Sequence, residues 1–441
     1  MNKSLAILLL LAGIVSMLHV AAQGVSAYES DLFSEFTVRF MPDLEPIRRP
    51  ALFCLEDLHA KVTHKHLSDE ILGQSPRNPT PCDPVDCSPE NSSWFFGGHI
   101  ETGFYVNQYG RRNRYVDGVF DPDSGNTEHL QNVRQSDLQM NQLYLNFGRN
   151  LNTRHGFDIG GRIDFLYGTD AVYLQSAGLE RDAGHGIWRS GDYYSSLPQL
   201  YFEVGYKNLS IKMGKFLSPM GGESILSPER FFYSLSDAYG ELPDTMTGFV
   251  GQWSVNRNIS VSGGWVNGED QTLDTSRDNA IVGDVFYKWN KNIQFGYATM
   301  FNVDTRTRDD WRYYIQSFIV GYKTTKWDYR FEWTLRNQKV GSNGHFGCYG
   351  INQELIYRHN ARWSFGTRIE WMHRYTKAGM GYDRYKITVG ANWKPRKWLT
   401  IKPELRYDHS DGTRPFNKPK DGSPGGRRGQ ITGGVSTIFM F

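Results

Sequence analysis

Charged residues recur at two-residue spacing in several short stretches of this chain. Asp158, Arg162 and Asp164 fall within residues 157–168, Arg330, Glu332 and Arg336 within 327–336, Arg368 and Glu370 within 363–372, and Arg384 and Lys386 within 384–393. That spacing puts side chains on one face of a β-strand. Glu203, Lys212 and Arg358 belong to the same kind of face. A wall carrying both signs can pair with itself and be stabilised, or, where water reaches it, it can set the preference of a passage for ions. A second group of carboxylates, Glu223, Glu229, Asp237, Glu241 and Asp244, lies in one loop between Leu217 and Thr245. Folded inward, that loop would hold its carboxylates across a narrow gap from an arginine-rich wall carrying Arg358, Arg368 and Arg384. The transverse field would orient polar solutes at a constriction; folded over the rim, the same carboxylates would simply be solvated.

Other chemistries lack their residues. No Gly-x-Ser-x-Gly elbow and no His-Glu-x-x-His metal motif occurs, so neither a serine hydrolase nor a zinc protease is indicated. Cys54, His59, His64 and His66 match no closed metal-site spacing, and a solvated helix face with incidental histidines is the simpler reading. No metal and no cofactor is expected. Cys82 and Cys87 could close a small Pro-rich loop in an oxidising compartment, but the pairing among Cys54, Cys82, Cys87 and Cys348 stays open.

The elements that carry the charged faces are legible from what opposes them. Phe157, Ile159, Ile163, Phe165 and Tyr167 stand opposite the 157–168 charges; Trp327, Tyr329, Phe331, Trp333 and Leu335 stand opposite Asp328, Arg330, Glu332 and Arg336. Trp363, Phe365, Ile369 and Trp371, then Tyr385, Ile387, Val389 and Trp393, repeat the arrangement. Apolar faces this rich in aromatics, set against charged ones, fit lipid outside and water inside. Short polar turns alternate with loops of roughly ten to thirty residues, giving about sixteen antiparallel strands with both ends on the short-turn side. Aromatic residues cluster beside the turns and again beside the loops, as two interfacial girdles would. Residues 313–322 have no clear facing, and Pro403 predicts a bulge or irregularity in its strand.

Both ends of the chain point to an envelope. Met1-Asn2-Lys3, the apolar run Leu5 to Leu18 and the small residues Val25-Ser26-Ala27 make residues 1–27 a secretory signal peptide. No later apolar stretch approaches the roughly 20 residues of a membrane helix, so a membrane would be crossed by strands. Residues 28–93 form a Pro-rich, charged extension, periplasmic or entering the barrel, and 94–441 the barrel. The last strand alternates to Phe441, an ending that resembles outer-membrane barrels whose assembly machinery reads the terminal strand. Aromatics are 14% of the chain and mean hydropathy is −0.53, which a barrel wetted on one face reconciles. The formal net charge of +2 argues against nucleic-acid binding.

Residues Asn141–Leu145, Gly161–Asp170, Gly214-Lys215-Phe216, Ser218–Glu223 and Phe231–Ser234 resemble the OmpL-like β-barrel porin family. The resemblance spans about residues 94–441 and does not reach the Cys/His segment. It implies an all-β outer-membrane porin, a water-filled channel for passive diffusion of small hydrophilic solutes or ions, and a homotrimer. Arg162, Asp164, Glu203, Lys212, Arg330, Glu332, Arg358, Arg368, Glu370 and Arg384 are the expected pore-lining residues, with Glu223, Glu229, Asp237 and Glu241 on the constriction loop. The competing reading is a structural or adhesive barrel with a blocked lumen. An energised transporter would need about 22 strands and a plug domain larger than residues 28–93 provide.

Overall fold

The computed structural model describes residues 94–441 apart from 110–112, 117–118, 126–135, 154–155, 183–185, 274–278, 303–311, 340–344, 376–380, 413 and 418–425. The proposed signal peptide and extension lie outside the described residues, as do Cys54, Cys82 and Cys87. Sixteen strands form one ring: β1 (Trp94–Asn107), β2 (Gln139–Arg149), β3 (Phe157–Gly168), β4 (Leu200–Tyr206), β5 (Leu209–Leu217), β6 (Thr245–Ser254), β7 (Ile259–Val266), β8 (Ala280–Lys288), β9 (Ile293–Asn302), β10 (Arg312–Lys323), β11 (Trp327–Lys339), β12 (His345–Arg358), β13 (Trp363–Tyr375), β14 (Gly381–Arg396), β15 (Leu399–Ser410) and β16 (Gly429–Met440). Each pairs antiparallel with its neighbours in sequence. β1 also pairs with β16, from His99 opposite Met440 to Asn107 opposite Thr432, so the sheet has no free edge.

Closure extends to the last residue. Phe441 N donates to Gly98 O at 3.0 Å, and Gly98 N donates to Phe441 O at 2.9 Å. The Phe441 ring lies over Gly98, where a Cβ would come within 2.9 Å of it.

Alternation holds around the ring. Ile159, Ile163, Phe202, Phe249, Ile369, Ile387 and Leu405 are exposed on the outer face, while Asp164, Glu203, Arg330, Glu332, Arg368, Glu370 and Lys386 are buried on the inner one. Turn-side aromatics stack outside, Trp94 on Phe147 at 5.4 Å, Trp363 on Trp393 at 5.7 Å and Trp398 on Phe439 at 6.0 Å. Tyr349 packs edge-on against Trp371 at 5.7 Å near the loops. These are the two girdles, with short periplasmic turns at one and long outer loops beyond the other.

Two expectations are refined. β10 turns Tyr313, Ile315, Ser317 and Ile319 inward, and Tyr314, Gln316, Phe318, Val320 and Tyr322 outward. Both faces are apolar there because something inside the barrel covers the inner one. Pro403 is exposed on the outer face and keeps its place opposite Val435, and the irregularity falls between Trp393 and Arg396 instead. The fixed φ of proline suits an extended strand, so only its missing donor is felt.

Candidate functional site: the loop inside the barrel

What covers the inner face of β10 is the segment between β5 and β6. Ser218-Pro219-Met220-Gly221-Gly222 turns the chain inward, with Gly221 at φ +83° and Met220 N donating to Ser218 Oγ at 3.1 Å. Ser218 N donates to Asp244 O at 3.0 Å and ties the two ends of the loop together. Single 3-10 turns at Ser227–Glu229 and Tyr239–Glu241 keep it compact.

Apolar side chains seat the loop on two sides. Met220 and Leu242 pack with Met246, Val266, Val282, Met300 and Ile315 of β6–β10. Ile225, Leu226 and Leu235 pack with Tyr144, Leu166 and Leu174 on β2, β3 and the segment after β3. Each such burial contributes about 1.5–3 kcal/mol before ordering costs.

Charges seat it on the third side. Arg368 on β13 donates to Glu223 Oε1 at 3.0 Å, Ser234 O at 2.9 Å, Ser234 Oγ at 3.0 Å and Leu235 O at 3.2 Å, and to Glu370 Oε1 beside it at 2.8 Å. Glu370 in turn accepts from Asp237 N at 2.6 Å. Lys386 on β14 donates to Asp237, and Arg374 on β13 to Glu241. Arg330 on β11 donates to Gly222 O, and Glu332 accepts from Gly222 N at 3.1 Å. A Cβ at Gly222 would lie 2.9 Å from Arg330 Cδ, so glycine is what lets the loop backbone lie this close to the wall. On β15, Glu404 accepts from Tyr233 N at 2.9 Å, and Arg406 donates to Leu235 O at 3.0 Å.

These contacts set the ionisation of the loop groups. Burial alone would raise the Glu223 carboxyl, but the Arg368 and Arg330 guanidiniums and the Ser236 N–H hold it below the usual carboxylate range. At the rim, Asp270 accepts from Thr245 N at 2.7 Å and Asp244 N at 3.2 Å, and its own carbonyl accepts from Ala177 N at 2.8 Å. It thereby joins three loops. Burial first, and then neighbouring Glu269, push its carboxyl up to about 7. Asp244 is raised well above the usual range by burial and by Asp270.

The expected site residues separate into groups. Glu223, Asp237 and Glu241 meet Arg368, Lys386 and Arg374 in direct contact, so the anticipated open gap between loop and arginines is not present. Direct, charge-assisted ion pairing closes it. Arg384 lies 3.9 Å from Asp237. Arg358 does not face the loop: it pairs with Asp328 and donates to Thr324 O at 3.1 Å near the turn, too far toward the periplasmic end to meet the carboxylates. Glu229 accepts from Ser224 Oγ at 2.8 Å within the loop. Asp164 is bonded by Arg162 at 2.8 Å and by Tyr144, and Glu203 accepts from Ser210 Oγ at 3.0 Å. Lys212 sits 4.5 Å over the Tyr201 ring.

Sequence reading missed Arg230, Asp170, Gln142 and Glu101. Arg230 reaches Glu101 at 3.3 Å, and Gln142 donates to Asp170 at 2.6 Å and Ile225 O at 2.7 Å. The signal was a lone arginine among five loop carboxylates.

On β3 and β5–β8 the loop's apolar contacts lie near the outer ends, which leaves the rest of these strands uncovered. Arg162, Lys212, Gln252, Ser262 and Asp284 remain half-buried on the inner face there.

A family model described as "Putative beta-barrel porin-2, OmpL-like" matches residues 95–441. No curated protein matches the chain in sequence. The structure of OmpT, an outer-membrane protein of Vibrio cholerae in trimer form, aligns with a TM-score of 0.50 at 11% identity, covering 79% of this chain and 99% of that one. An anion-selective porin from Comamonas acidovorans aligns with a TM-score of 0.51 at 10% identity, covering 79% of this chain and 99% of that one. At these identities the likeness is one of fold.

Proposed function

Since this chain belongs to the OmpL-like β-barrel porin family of the bacterial outer membrane, we propose that it passes small hydrophilic solutes passively along the strip of lumen wall that the 218–244 loop leaves uncovered. The observation that carries this is the half-buried polar set Arg162, Lys212, Gln252, Ser262 and Asp284 on β3 and β5–β8, below the loop's apolar contacts with the outer ends of those strands. A barrel of this strand number is too wide for its own side chains to fill. The loop narrows it without ending the polar wall. Arg162 pairs with Asp164, and Lys212 has Glu203 and Asp284 nearby, so the mixed charge along the strip makes selectivity modest. The expected homotrimer belongs to the same proposal, and native mass measurement tests it.

Planar-bilayer recording is the deciding experiment. Discrete, weakly selective conductance steps support the reading. A second reading, the blocked barrel, is favoured by the apolar packing of Met220 and Leu242 over the inner face of β6–β10. A pure, folded protein that inserts and gives no steps would replace the first reading with the second.

A further inference from the structure

Neither the ion-paired wall nor the uncovered strip uses a small cavity beneath the periplasmic edge of the loop. It measures about 30 Å³ and is lined by Pro228 and Arg230 of the loop, Asn392 and Lys394 of β14, and Thr400 and Lys402 of β15, with β16 behind them. Three of these are cations and none is acidic. Its inner end is buried, with Arg230 4% and Lys402 2% exposed. Lys394 and Pro228 are exposed, so the cavity opens toward the turn that follows β14.

The donors at the inner end are not all used. Lys402 Nζ donates to Ser227 O at 2.7 Å and Arg230 O at 2.5 Å, and an ammonium has three donors. Outside the lining, the hydroxyls of Ser227 and Ser436 are fully buried without a hydrogen-bond partner, and Ser436 stands directly opposite Lys402 in the β15–β16 register. Lys394 makes no ion pair among the described residues. Two acids outside the lining, Glu101 and Asp170, lie 3.3 and 3.8 Å from the Arg230 guanidinium and compensate that charge, which leaves Lys394 and Lys402 as the cations open to a ligand; Glu404 is held by Tyr233 N and Ser234 N. Among the described residues no carboxylate lines the cavity. By the same measure of volume one water needs at least about 10–15 Å³, so the space suits two oxygen atoms.

We propose that this cavity is a subsite for the oxyanionic headgroup of a small solute, a carboxylate or a phosphate, entering from the periplasmic side. Lys402 donates its third N–H to one oxygen at the inner end, and Lys394 supplies a second charge at the mouth. The rest of the solute lies in the opening toward the turns. The subsite goes beyond the conduction reading, because binding does not require that the lumen conduct.

Titration calorimetry on the full-length protein in detergent tests it, with sodium acetate, sodium phosphate and glucose as probes. Saturable binding of acetate or phosphate is expected, and the stronger of the two identifies the headgroup; glucose should give none. Lys394→Gln should weaken binding about two- to fivefold, as loss of an exposed charge contact does. Lys394→Glu should weaken it more than Lys394→Gln. Because Lys402 also holds two loop carbonyls, Lys402→Gln is scored only where heat-modifiable gel mobility is retained, and it should abolish binding. Absence of saturable oxyanion binding by the unmodified protein, or unaltered affinity in Lys394→Glu, overturns the proposal. A silent bilayer with intact binding would instead count against the porin reading alone.

Discussion

Removing Arg368 should release the loop while leaving the barrel standing. Its guanidinium is fully buried and donates to Glu370, Glu223, Leu235 O and both oxygens of Ser234. Arg368→Ala leaves two buried carboxylates without the cation they bond and the Ser234 carbonyl without a donor, while Leu235 O keeps Arg406. Breaking a buried pair in this way costs about 3–5 kcal/mol. At about 1.4 kcal/mol per tenfold, the seated position loses two to three and a half orders of magnitude in population against the released one. The backbone ladder of β13, from Trp363 opposite Trp393 to Tyr375 opposite Gly381, does not depend on that side chain. Heat-modifiable mobility should therefore persist. Single-channel steps should become larger and noisier, and selectivity should move toward cations, since one cation goes and two carboxylates meet water. Arg368→Lys should fall between, because a point charge cannot reproduce the forked donor set. A folded Arg368→Ala barrel with unchanged conductance, noise and selectivity would refute the idea that this pairing holds the loop.

Three further outcomes are expected. Ile369→Arg, on the outer face where Ile369 is 51% exposed, should destabilise the barrel by about 2–4 kcal/mol if near the midplane, whereas Gln252→Arg on the uncovered inner strip should cost far less in urea unfolding. Deleting Phe441 removes both backbone bonds to Gly98 and should reduce the yield of heat-modifiable protein in the outer membrane; equal yield would show that neither closure nor recognition by the assembly machinery depends on it. Asp270, with its carboxyl at about 7, binds its proton more tightly folded than unfolded, so its contribution is complete below about pH 4 and is lost as pH rises to about 7. Melting temperature should fall over that window, and Asp270→Asn should flatten the dependence; a parallel pH profile in the variant would exclude Asp270 as its source.

The strands were legible because a membrane wall enforces a two-residue period. The 157–168 segment matches β3 to the residue, since charged and aromatic faces cannot be exchanged without placing Asp164 in lipid. β10 was ambiguous for a physical reason: Met220 and Leu242 supply apolar partners to its inner face, so Ile315 and Phe318 can both be apolar on opposite sides. The loop carboxylates were recognisable as a group, but not their partners. Lys386 rather than Arg358 meets Asp237, and which cation lies at loop height depends on strand tilt and stagger, which alternation does not encode. Arg230 gave no periodic signal, because its role depends on contacts with β1 and β15, which are far from it in sequence.

Closure of the ring has a kinetic consequence. Along the ring every seam but one joins strands that follow one another in the chain, whereas β1 meets β16 only when the last strand is in place. Loop-closure entropy makes that seam the slow one, and until it forms, two unpaired edges are open to other chains. The inward loop spans this seam. Tyr233 stacks on Tyr105 of β1 at 4.4 Å while its N–H bonds Glu404 of β15, and Arg230 reaches Glu101 of β1 while its carbonyl accepts from Lys402 of β15. The loop therefore bonds strands on both sides of the seam, and this set of contacts is complete only in the closed ring.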